Sequence, residues 1–214
     1  MKIIYWRIVL IAVAAIVIIG TSLSGTIMSR VEQPSYTIVR SWESFEIRDY
    51  PQLIVAETEV LGERKQAINA GFRIIANYIF GNNAPQQKIS MTAPVTQQAG
   101  EKIAMTAPVL QEASGDTWRV RFIMPSDYTL ETLPAPNNPN VKLIKVPAER
   151  VAAIRFSGLA GDESISRQRK LLLERIAQLG LTVHGEPILA FYNPPWTLPF
   201  LRRNEILAKV TSPE

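Results

Sequence analysis

Along residues 36–40, 45–50 and 53–60, apolar and polar side chains alternate at every second position, which predicts three strands. In the second, Phe45 and Ile47 share one face while Glu46 and Arg48 share the other. The clearest alternation lies at residues 118–124. There Trp118, Val120, Phe122 and Met124 interleave with Arg119, Arg121 and Ile123, so one face of this strand must be buried. Between strands the period changes to that of a helix. Over residues 63–80, Ile68, Phe72, Ile75 and Ile79 recur at helical spacing ahead of Gly81. Over residues 162–179, Ile165, Leu172, Ile176 and Leu179 do the same ahead of Gly180. Each pattern predicts an amphipathic helix stopped by glycine, with its apolar stripe in the core.

The Pro-rich stretch 133–139 separates two similar halves. Pro51 is followed, after Gln52, by Leu-Ile-Val-Ala and Pro147 by Ala-Glu-Arg-Val-Ala, and each then leads into a strand, a glycine-terminated helix and further strands. This predicts an α+β fold of duplicated β-β-α-β units. Their sheets pair into a distorted antiparallel β-barrel or curved sheet carrying both helices, with a cleft between the halves. Neither half has enough strands and core to stand alone, so residues 31–214 form one domain.

The front end differs from the rest. From Ile8 to Ser29 there is no ionisable side chain, and these 22 positions span about 33 Å as a helix, against about 30 Å of hydrocarbon in a bilayer. The preferred reading of residues 1–30 is an uncleaved membrane anchor. The alternative is a secretory signal whose apolar region ends near Gly20, with Ser22 and Ser24 before the cut. In both readings Lys2 and Arg7 stay on the cytoplasmic side and the domain is translocated, to the periplasm in a Gram-negative host.

Charge follows the same division. Lys2, Arg7 and Arg30 account for three of the 23 basic residues, so the remainder carries 20 against 19 acidic ones. The pI near 9.4 therefore reflects the front end and not a basic stripe able to neutralise phosphates, and nucleic acid is not an expected partner. There is no cysteine, which excludes disulfides, thiolate metal sites and cysteine nucleophiles.

The most specific feature is a repeat. Lys88-Ile-Ser-Met-Thr-Ala-Pro-Val95 returns 14 residues later as Lys102-Ile-Ala-Met-Thr-Ala-Pro-Val109, differing at one position. The two copies are expected to fold back on each other as hairpin arms, the prolines marking where each leaves the ladder. With Phe-Glu-Ile-Arg-Asp-Tyr at 45–50, Gly71-Phe72, Tyr-Ile-Phe-Gly-Asn-Asn at 78–83 and Phe-Ile-Met-Pro at 122–125, the chain resembles the SOUL haem-binding family. Leu-Pro-Ala-Pro at 133–136, Tyr-Asn-Pro-Pro at 192–195 and Arg-Arg-Asn-Glu at 202–205 extend the resemblance over residues 36–210.

The resemblance implies a non-covalent haem or related tetrapyrrole held on an apolar surface made by the first helix and a loop near the C-terminus. Carried over by position, the helix contacts are Asn69, Phe72, Arg73, Ala76 and Asn77. Those of the loop come from residues 196–202: Trp196, Leu198, Phe200 and Arg202. Some family members ligate iron through a histidine that is Asp49 here, so ligation by histidine is not expected. The single histidine, His184, falls where a surface turn is expected, and Tyr78, Met91 and Met105 are further nominal axial ligands. Positions that are basic in other members read Asn69, Asn77 and Thr197, leaving Arg73, Arg202 and Arg203 for the propionates.

Two other functions compete with a membrane-tethered carrier. An enzyme acting on a small amphiphilic ligand, such as a hydrolase, would need a carboxylate in the cleft, with Glu57, Glu59, Glu186 and Glu205 as candidates. No nucleophile elbow, phosphate loop or zinc-protease helix occurs in the sequence, so a binding protein and not an enzyme is expected. A scaffold with a vestigial pocket would use the apolar loop 196–201 as its contact.

Overall fold

A computed structural model describes residues 31–84 and 100–212. The apolar front segment and the first Met-Thr-Ala-Pro copy, with Met91, lie outside the described residues. Among the described residues no helix is long and apolar enough to cross a membrane.

The chain runs β1 (Thr37–Ser41), β2 (Phe45–Tyr50), β3 (Leu53–Leu61), α1 (Arg64–Ile79), β4 (Asn83–Ala84), β5 (Val109–Ser114) and β6 (Thr117–Ile123). It continues through β7 (Ala135–Pro136), β8 (Lys142–Val146), β9 (Glu149–Phe156), α2 (Asp162–Gln178), β10 (Thr182–Phe191), the 3-10 turn Pro199–Leu201 and β11 (Asn204–Thr211). Nine strands form one sheet in the order β1-β2-β9-β11-β10-β5-β6-β3-β8, every neighbouring pair antiparallel. The sheet is curved and open, with β1 and β8 as free edges, and does not close into a barrel.

This order explains the duplication. β2-β3-α1-β5-β6 corresponds to β8-β9-α2-β10-β11, and the halves meet where β5 pairs with β10. Each half lends its first strand to the other, for β2 pairs with β9 and β8 with β3. Pro51 and Pro147 sit in equivalent two-residue links before β3 and β9. Both strands then bury four consecutive residues, Val55 to Thr58 and Val151 to Ile154, because helices cover one face and other chain the opposite one.

Both helices pack on the same face. Leu172 and Ile176 of α2 lie on Phe45, Ile47, Ala152, Ile154 and Ile206. Ile75 and Ile79 of α1 lie on Ala56, Val120 and Phe122. Gly71 lets α1 approach this closely, since a Cβ there would stand 2.6 Å from Val120 Cγ2. The second Met-Thr-Ala-Pro copy is a largely buried connector that joins no named strand until Val109 enters β5. Ile103 N–H donates to the Ile79 carbonyl at 2.8 Å, and the Thr106 hydroxyl donates to the Ile123 carbonyl. Met105 packs in the α1 core.

The polar face of β2 is covered as well. Residues 31–36 cross it, and Val31 and Tyr36 join a third apolar cluster with Tyr50, Val151, Ile188, Tyr192 and Leu207. On this face the halves enclose a cavity of about 50 Å³ lined by Pro34, Tyr50, Leu53, Leu110, Ile188 and Leu207, and beside it lies a groove of about 460 Å³ lined by Gln33, Pro51, Ile54, Thr106, Tyr128 and Lys145. A drug-sized ligand needs several hundred Å³, so a tetrapyrrole does not fit the smaller cavity.

Candidate functional site

On the helix side, the two halves meet in a single corner. Arg64 and Asp162 are the first residues of α1 and α2 and form an ion pair of 2.8 Å. The chain leading into α2 is tied to the β10–β11 connection: Gly158 N–H donates to the Pro199 carbonyl at 2.9 Å, and Asn204 Nδ2 donates to the Gly158 carbonyl at 3.1 Å. The start of α1 and the loop 196–202 are therefore joined through residues 158–162.

Beside this tie Leu159, Trp196, Phe200 and Leu201 are exposed, and on the α1 side Leu61 before the helix and Phe72 farther along it are exposed as well. Phe72 keeps one side against Phe122, ring centroids 5.2 Å apart. Asn69, Arg73 and Asn77 are exposed along α1, whereas Ala76 is buried and backs the helix against the sheet. Arg73 Nε donates to the Asn69 carbonyl at 3.3 Å, and its terminal nitrogens have no partner among the described residues. Arg202 is committed to its own loop, donating to the carbonyls of Thr197 (2.7 Å) and Pro195. Leu198 is half-buried, and Thr197 is buried with an unpartnered Oγ1. Leu159 escaped the sequence reading, although an isolated Leu in Gly-Leu-Ala-Gly was its signal.

The opposite face holds a buried ionic cluster. Glu205 accepts hydrogen bonds from Arg48 Nη1 (2.7 Å) and Nη2 (3.1 Å), from Arg203 Nε (2.9 Å) and Nη2 (2.7 Å), and from the Tyr192 hydroxyl (2.9 Å). Arg48 also binds Glu46 and lies 4.5 Å from the Tyr36 ring centre, and Arg203 lies 3.9 Å from that of Tyr192. Burial alone would raise the Glu205 carboxyl, but Arg48 and then Arg203 outweigh it and hold it below its ordinary value. Burial, then the Glu205 charge, pushes the Tyr192 hydroxyl upward.

Each carboxylate put forward for acid-base chemistry is met by arginine. Glu57 pairs with Arg121 and Arg119, Glu59 with Arg119, and Glu186 with Arg169. His184 lies on β10 and not in a turn, exposed, with Nε2 2.8 Å from Thr211 Oγ1. Tyr78, in the last turn of α1, is buried and donates to the Pro134 carbonyl at 2.8 Å. Among the described residues no group of His, Cys, Asp and Glu is arranged to hold a metal ion.

The sequence model of the SOUL heme-binding protein family matches residues 31–209. The chain belongs to that family. No curated protein sequence matches it, and its likeness to solved structures is one of fold. The C-terminal domain of EcmrR superposes with a TM-score of 0.56 at 13% identity, covering 83% of this chain and 99% of that one. An uncharacterized conserved protein from Listeria innocua gives 0.51 at 15%, covering 78% and 92%. A hydrolase from the same organism gives 0.50 at 14%, again covering 78% and 92%.

The corner of this SOUL domain fits a tetrapyrrole in part. The exposed apolar side chains of the loop and of α1 suit a macrocycle, and Arg73 on α1 has donors for a carboxylate. The donor set does not fit axial ligation, because neither His184 nor Tyr78 belongs to the corner.

Proposed function

We propose that the protein is a binding protein for haem or a related tetrapyrrole, tethered to a membrane by residues 1–30. The observation that carries this reading is that a SOUL domain exposes Trp196 and Phe200 on its C-terminal loop and Phe72 on α1, with Arg73 next to Phe72 in the chain, exposed, and its terminal nitrogens without a partner among the described residues. Phe72, Trp196, Leu198 and Phe200 would supply apolar contact, and Arg73 would hold a carboxylate. Asn69 and Asn77 flank it as neutral donors, Ala76 fixes the helix, and Arg202 holds the shape of the loop. A bound tetrapyrrole would supply its own absorbance and any redox chemistry. The chain contributes orientation and partial exclusion of water, and ligation by histidine forms no part of this reading.

All buried core residues of the three clusters lie between 45 and 210, so a chain starting at residue 31 retains them. Haemin titration of that chain, followed by Soret absorbance and tryptophan quenching, tests the reading. One-to-one binding is expected, weakened about tenfold or more, or ~1.4 kcal/mol, in Trp196→Ala and Arg73→Glu. Absent binding, or binding indifferent to both substitutions, refutes it. Phe72→Asp should also weaken binding, and a thermal melt separates that loss from its contact with Phe122.

A further inference from the structure

The described chain begins at the same end of the sheet as the β10–β11 connection. Gln33 Oε1 accepts a hydrogen bond from Arg203 Nη1 at 3.1 Å, and the Glu32 carbonyl accepts one from Ala107 N–H at 2.9 Å, just ahead of β5. Residue 30 precedes Gln33 by three peptide units, at most about 11 Å of extended chain. Before it comes the stretch from Ile8 to Ser29, which has no ionisable side chain and suffices to cross the hydrocarbon of a bilayer. A bilayer holding that stretch therefore lies close to this end of the domain.

The same end carries a concentration of exposed apolar side chains. Phe200 is 70% exposed, Leu159 65% and Trp196 56%, and Leu201 stands beside them. Trp42 belongs here too, because its turn leads into β2 where the Ser44 carbonyl accepts from Arg155 N–H, beside the end of β9. Two tryptophans at such a rim match the amphipathic belt preferred at headgroup level. A contiguous apolar patch facing water alone would be unfavourable.

We propose that this end of the domain rests on the phospholipid surface, with residues 196–201 and Leu159 inserted among the headgroups and Trp42 at the rim. The docking rests on the membrane-anchor part of the proposed function and is independent of its ligand.

The absence of cysteine permits a clean test in the full chain. Phe200→Cys, Leu159→Cys and Thr182→Cys, the last at the far end of β10, are each labelled with an environment-sensitive fluorophore. The proteins are reconstituted without haem into vesicles of phosphatidylcholine and phosphatidylglycerol. Blue-shifted emission quenched by spin-labelled lipid is expected at 200 and 159, and water-like emission at 182. Emission at 200 and 159 like that at 182 overturns the proposal. A blue shift that lipid labels do not quench also overturns it, by assigning the patch to a protein contact. A failed haemin titration leaves these readings unchanged.

Discussion

Two ion pairs of nearly equal length show that burial, more than distance, decides what a residue contributes. Arg48 and Glu205 are 2.7 Å apart and 3% and 1% exposed, whereas Arg64 and Asp162 are 2.8 Å apart in solvent. Removing one partner of a buried pair strands a charge and typically costs about 3–5 kcal/mol, while an exposed pair is worth about 0–1 kcal/mol. Glu205→Ala should therefore cost about 3–5 kcal/mol in urea unfolding and Asp162→Ala no more than about 1. The first effect depends on pH. Because the folded Glu205 carboxyl lies below its ordinary value, its contribution is complete above an unfolded value of about 4.3 and is lost as pH falls through the folded one. Urea midpoints should drop below about pH 4 for the native protein, and more shallowly for Glu205→Gln. Equal slopes for both would show that other carboxylates govern acid unfolding.

At the scale of elements, a close approach overrides local propensity. Alanine normally favours a helix interior over glycine by about 0.5–1 kcal/mol. At Gly71, however, the added Cβ would stand 2.6 Å from Val120 Cγ2 and 3.0 Å from Val120 Cβ. Val120 is fully buried on β6 and stiff at χ1, so the helix must lift. Gly71→Ala is expected to destabilise by about 1–3 kcal/mol, read as a lower urea midpoint. An unchanged or raised midpoint would mean that α1 slides freely on the sheet. Thr106 anchors the connector into β5 in the same manner, and Thr106→Val should cost about 1–2 kcal/mol by leaving the Ile123 carbonyl without its donor.

At the scale of the whole molecule, the exchange of β2 and β8 makes the halves interdependent. A fragment of residues 31–140 keeps β2 without β9 and β3 without β8. It should show no cooperative unfolding, while residues 31–214 unfold in one transition seen alike by near- and far-ultraviolet circular dichroism; a cooperative melt of the fragment would contradict this. Periodicity made β2, β3, β6 and both helices legible within a residue or so, and the twin Pro51 and Pro147 links exposed the duplication. All of these are short-range patterns that burial of one face imprints on neighbouring positions. Other features were not legible because they arise from residues distant in sequence. Alternation placed Arg48 with Glu46 on the polar face of β2 without showing what lies on it; residues 31–36 and Glu205 cover Arg48 there. Pro34 of the crossing chain lines the small cavity between the halves, a contact with no local sequence signal. The ion pair of Arg64 with Asp162 joins two helix starts far apart in sequence. The sequence by itself determined the elements, their repetition, the family and the apolar character of the loop, since each depends on local order. Only the tertiary structure decided which charges are buried, that residues 31–36 cover the polar face of β2, and that the apolar loop shares one end of the sheet with Gln33, since these depend on chain crossing chain.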